Sequence, residues 1–96
     1  MDPNKYQQAI VVITKEQEKI IGKNLARLLI HGVSNLEFDQ NGNPALTENA
    51  DPKEVLSELV DQYATLFGRA SIEVSKEAVR NLGETFSSNE LPENLK

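Results

Sequence analysis

The stretch Asp51-Pro52-Lys53-Glu54-Val55-Leu56-Ser57-Glu58-Leu59-Val60-Asp61-Gln62-Tyr63-Ala64-Thr65-Leu66-Phe67-Gly68 decides the fold class. Asp51 is a capping carboxylate. Pro52 suits a first helical position, where its missing N–H would have no partner anyway, and Glu54 falls at the third position of a capping box. Behind this start Val55, Leu56, Leu59, Val60, Tyr63, Leu66 and Phe67 recur at spacings of three and four, which predicts one buried stripe. Gly68 closes the helix. An amphipathic helix of this length needs apolar partners, and the flanking segments offer them.

Upstream, Thr14 to His31 carries the same period. Ile20, Ile21, Leu25, Leu28 and Leu29 predict one apolar face, with Gly32 as a left-handed stop. Thr14 with Gln17 reads as a second capping box, and Asp2-Pro3 as an earlier start. Between those starts, Ala9-Ile10-Val11-Val12-Ile13 is a β-branched run that fits a helix or a short strand; helix is preferred, kinked near Thr14. Over 36–46, Leu36-Glu37-Phe38 alternates, Asn41-Gly42 reads as a type I′ turn, and Pro44-Ala45-Leu46 follows. A short β-hairpin and an ordered loop both fit. Downstream, Ile72, Val79, Leu82 and Phe86 predict a last helix that Ser71 or Ser75 would cap. The polar ending SSNELPENLK is expected to fray.

These readings predict a mainly α fold: a small bundle of three to four helices, with the hairpin at 36–46 as an option. Residues 1–86 would form a single helical domain and 87–96 a polar C-terminal tail. The core would gather Ile20, Ile21, Leu25, Leu28, Leu29, Val55, Leu59, Tyr63, Leu66, Phe67, Val79 and Leu82. With 96 residues the core is thin, so docking against another copy would help. The 39% apolar and 26% charged composition is that of a folded domain.

The composition also narrows the chemistry. No cysteine means no disulfide, thiolate zinc site, iron–sulfur ligation or cysteine nucleophile. His31 is the only histidine; at the end of a predicted helix it reads as a capping or packing residue. Asp39-x-Asn41-x-Asn43 starts like a calcium loop, but Pro44 stands where that loop needs glycine and Ala50 where it needs a bidentate Glu, so turn-forming Asx residues are the better reading. No glycine spacing makes a phosphate loop. The expectation is therefore a protein that is not an enzyme, with no catalytic, cofactor-binding or metal residues. No apolar window approaches the ~18–20 residues of a membrane span, and the apolar run Ala9–Ile13 is too short for a signal-peptide core. A cytoplasmic protein with no membrane partner is expected.

Two surface features remain. Gly22-x-x-x-Ala26 puts two small residues one turn apart, which predicts a helix-contact notch at Gly22 and Ala26. Charge is divided: residues 1–33 carry five bases and three acids, whereas 34–96 carry five bases and twelve acids. In the first part Lys15, Lys19, Lys23 and Arg27 recur every four residues. On one helix they would form a basic ridge suited to an anionic partner, or simply a solvated face.

Val74-Ser75-Lys76-Glu77-Ala78-Val79-Arg80 resembles the start of recognition helices in helix-turn-helix regulators. That resemblance covers seven residues and implies a DNA-binding alternative carried by Lys76 and Arg80. Glu73 and Glu77, however, place negative charge where phosphates would lie. The preferred reading is a small adaptor or regulatory module that binds a protein partner or itself, most simply as a homodimer; nucleic acid is the lesser alternative.

Overall fold

The computed structural model describes residues 3–83, 86–87 and 89–96. It contains α1 (Pro3–Ile21), α2 (Lys23–Ile30), β1 (Leu36–Phe38), β2 (Pro44–Leu46), α3 (Pro52–Phe67), α4 (Arg69–Asn81) and a 3-10 turn at Glu93–Leu95. The expected mainly helical bundle with a short antiparallel hairpin is what forms. Among the described residues, no helix is long and apolar enough to cross a membrane.

Helix α3 starts and stops as its local signals dictate. The Asp51 carboxylate accepts from the Lys53 amide at 3.2 Å and the Glu54 amide at 3.5 Å. Gly68, at φ 74 and ψ −161, ends α3 and at the same time begins α4, so Ser71 and Ser75 are not caps. Both serines are buried inside α4. The capping carboxylate proposed at Asp2 lies outside the described residues.

Thr14 neither caps nor kinks. Helix α1 runs straight through it, and its Oγ1 donates to Ile10 O at 2.9 Å, which satisfies the hydroxyl without ending the helix. The chain turns instead at Gly22, whose φ of 89 and ψ of 154 lie in a region only glycine enters readily. Gly32 is not left-handed; α2 ends through His31 in a right-handed conformation, and Asn35 carries the positive φ of 61.

The hairpin pairs Leu36 with Leu46, Glu37 with Ala45 and Phe38 with Pro44. Its turn is wider than a type I′ turn. Asp39 still pairs with Asn43 O at 2.8 Å, Gly42 N donates to Asp39 O at 2.9 Å, and only Gly42 of the loop has positive φ. The Asp39 carboxylate accepts from the amides of Asn41 (2.9 Å) and Asn43 (3.0 Å), so these Asx residues build the turn, as expected. Gln7 fastens the hairpin to α1: its Nε2 donates to Pro44 O and its Oε1 accepts from Leu46 N.

The core lies deeper along α1 than the periodicity indicates. Tyr6, Ala9, Ile10, Ile13, Ala26, Ile30, Leu56, Leu59, Val60 and Tyr63 are completely shielded from water. Five residues expected there lie outside instead: Ile20, Leu25, Leu28, Leu66 and Phe67. Residues 87 and 89–96 do not fray in the structure. Leu95 and Pro92 are buried, Tyr6 Oη donates to Glu90 O at 2.7 Å, and Asn94 Nδ2 donates to Ser57 O and Asp61 Oδ1, each at 2.9 Å.

Candidate functional site

Two hydrogen-bond sets fix how the helices run. Gln17 Nε2 donates to Ser71 O at 3.1 Å and Ser75 Oγ at 3.4 Å, so the C-terminal part of α1 lies beside the start of α4. Tyr63 Oη reaches Ala26 O at 3.5 Å, Gln62 Nε2 donates to Gly32 O, and Ser34 N donates to Glu58. Thus α2 and α3 are antiparallel. The breaks at Gly22 and Gly68 consequently fall at the same end of the bundle.

That end carries unsatisfied apolar surface. On α1, Ile20 continues the buried row Ile10, Ile13, Gln17 by one turn. On α3, Leu66 and Phe67 continue the row Leu56, Leu59, Tyr63. Ile20 borders an open groove beside Glu73, Val74, Glu77 and Ala78 of α4, and Leu66 lies in the last turn of α3, leaving Ile20 62% and Leu66 57% exposed. Leu25 and Leu28, on the outer face of α2, are also exposed. Single exposed leucines are ordinary on a protein surface; here Ile20, Leu25, Leu66 and Phe67 are all exposed within three residues of the two glycine breaks.

The notch at Gly22 and Ala26 takes a different form from the one expected. Gly22 is not inside a helix, so the cost of a mid-helix glycine does not arise, and nothing among the described residues comes within 4 Å of a Cβ built on it. Ala26 is buried within this chain, where its carbonyl meets Tyr63.

The basic ridge is divided by the same break. Lys19 turns away and pairs with Glu16 at 3.0 Å. Lys15, Lys23 and Arg27 instead line one cleft of about 190 Å³ between α1, α2 and the hairpin loop, with Glu18 and Phe38 on its walls. The Arg27 guanidinium lies 5.2 Å above the Phe38 ring centre, and its Nη2 donates to Gly42 O at 3.1 Å. Its Nε is shielded and meets no acceptor. His31 packs edge-on against Phe38, with ring centres 5.4 Å apart.

Lys76 lies in the middle of α4 and Arg80 in its last turn, neither at its start, and only Gly68 separates α4 from α3. Both side chains are engaged by acids one turn back: Lys76 with Glu73 at 3.6 Å and Arg80 with Glu77 at 2.9 Å. They border a wider groove of about 460 Å³ with Val79, Phe86, Leu91 and Leu95. Lys96, its third cation, pairs with Glu93.

Buried polar groups tie the elements together. Burial pushes the Tyr63 phenol up to about 12; a hydrogen bond with Thr14 partly opposes this and the Glu18 charge adds to it. Burial also raises Tyr6, helped by the charges of Glu90 and Asp51. Glu90 moves the other way, held below the ordinary carboxylate range by the Ser87 amide and then by Lys5. Among the described residues, no group of three or more His, Cys, Asp or Glu could hold a metal ion. Gln7, Gln17 and the exposed helix ends carry no local sequence signal, because their roles depend on what lies opposite. Comparison with protein-family models, curated proteins and solved structures gives no match.

Proposed function

We propose that this chain is a small non-enzymatic interaction module that self-associates through the end of the bundle where both glycine breaks lie. The observation that carries this reading is that the apolar rows of α1 and α3 emerge into solvent beside the two breaks, with Ile20, Leu66 and Phe67 exposed in sequence register with core residues. Burying one such side chain contributes about 1.5–3 kcal/mol. A second copy presenting the same end would cover all of these side chains at once, in an isologous contact.

The two breaks suit this role. A helix that ended in a long polar loop would surround its apolar tip with hydrophilic backbone. Here each break is a single glycine, so the apolar turn stands close to the next helix. Sedimentation from low to high micromolar concentration tests the proposal. The wild-type chain is expected to move from monomer to dimer. Ile20→Lys with Leu66→Lys is expected to stay monomeric and melt no lower, because both positions face water in the monomer. A wild-type chain that remains monomeric throughout, or a double variant that dimerises equally well, rejects the reading.

A further inference from the structure

Among the described residues, carboxylates pair with Lys5, Lys19, Lys76, Arg80 and Lys96, five of the ten basic residues. Of the other five, three line the single small cleft between α1, α2 and the hairpin loop. Among the described residues, no carboxylate comes within ion-pairing distance of Lys15, Lys23 or Arg27. That arrangement is uphill in isolation. Like charges gathered in a cleft repel, and only Glu18 of the chain's fifteen acids stands among them. Lys23 is also the first residue of α2, whose N-terminal end has no side-chain cap; the positive pole of a helix disfavours a cation there.

Arg27 is the fixed member of the set. The Phe38 ring on one side and Gly42 O on another hold its guanidinium in place, so less side-chain freedom is lost when an anion meets it. Lys15 and Lys23 are exposed and can close over a ligand. The cleft volume of about 190 Å³ is below the roughly 300–1,000 Å³ of drug-sized sites. Three cations against Glu18 leave a surplus of two positive charges, which matches a phosphoryl group carrying about −1.5 to −2 near neutral pH. The wider groove beside Lys76, Arg80 and Lys96 lacks this surplus, because each of its cations already has an acid.

We propose that the cleft binds a small phosphate-class oxyanion, with Arg27 as the fixed fork and Lys15 and Lys23 as the closing cations. This does not depend on self-association. The test is an amide-resolved NMR titration of the full chain with inorganic phosphate, at ionic strength held constant with chloride. Saturable shifts are expected at Lys15, Lys23, Arg27, Gly42 and Asn43. Lys15→Gln with Lys23→Gln, both at exposed positions, should weaken binding at least tenfold. Lys19→Gln should leave it unchanged. Glycerol phosphate, titrated in competition, separates the two sources: displacement of inorganic phosphate at equal or lower concentration assigns a phosphomonoester, and failure to displace it assigns the free ion. Shifts that do not saturate, that chloride alone reproduces, or that Lys19→Gln weakens as much as the double variant overturn the proposal.

Discussion

Gly22 and Gly68 show how one residue can determine where a helix stops without touching anything. Each has positive φ with ψ near the extended limit, and around each a Cβ would find open space within 4 Å. The requirement is therefore in the backbone, not in packing, and it can be isolated from packing by experiment. Gly22→Ala and Gly68→Ala are each expected to lower unfolding free energy by about 1–3 kcal/mol, the cost of holding a non-glycine residue in that region. Gly32 is the control. Its φ is not positive, and an added Cβ would meet only the flexible end of Gln62 at 3.2 Å, so Gly32→Ala should change stability by less than about 0.5 kcal/mol. Urea denaturation of the three variants gives the comparison. Equal losses at all three positions would mean that the backbone argument is wrong.

At the scale of elements, the bounds of α3 are legible because Asp51, Pro52 and Gly68 act through neighbours a few residues away. Which residues of α3 are buried is legible only in part. Periodicity identifies the apolar side of a helix, but not where its partner ends, so Leu66 and Phe67 read as core and emerge into solvent. Ala9 to Ile13 proved helical and central because α2, α3 and α4 all pack around α1, a fact no local window contains. The basic cleft is half legible: the four-residue spacing of Lys15, Lys19, Lys23 and Arg27 is in the sequence, whereas the loss of Lys19 to Glu16 and the arrival of Phe38 require the turn at Gly22. The C-terminal segment reads as a loose polar tail, yet its polar residues are the means of docking. Glu90 accepts from the Ser87 amide at 2.9 Å and from Lys5 at 3.2 Å, and Lys53 Nζ donates to Asn89 O at 2.7 Å. Since folding lowers the Glu90 pKa, its contribution is present above the unfolded carboxylate value and is lost as pH falls through the folded one. Melting temperatures of wild type and Glu90→Gln are expected to converge as pH drops from about 5 to about 3. Two curves that stay parallel across that interval would show that Glu90 does not hold the segment.

For the whole molecule, the decisive polar group is Tyr63, which lies where α1, α2 and α3 meet. Its phenol is fully enclosed, touches Ala26 O and is the most strongly shifted titratable group described. Folding favours its protonated form, with a pKa of about 12 against the ordinary value of 10.0. The sign follows from linkage. Below pH 10 both folded and unfolded states hold the proton and stability is unaffected. Above it the unfolded state gives the proton up first, so stability falls as pH rises through the folded value, by about 2 to 3 kcal/mol at the limit. Tyr6 moves in the same direction, so the alkaline slope of the wild type contains both phenols. Tyr63→Phe removes the larger share. It should cost about 1 kcal/mol near neutrality, because its bond to Ala26 O is long at 3.5 Å and Thr14 Oγ1 keeps Ile10 O as a partner, and then lose stability more slowly than the wild type above pH 10. Chemical denaturation from neutral to strongly alkaline pH, with phenolate absorbance followed in parallel, measures both effects. A variant that falls as steeply as the wild type would assign the slope to Tyr6, whose hydroxyl holds Glu90 O at 2.7 Å, and would place the molecule's alkaline weakness at the docked C-terminal segment instead of at the junction of its helices.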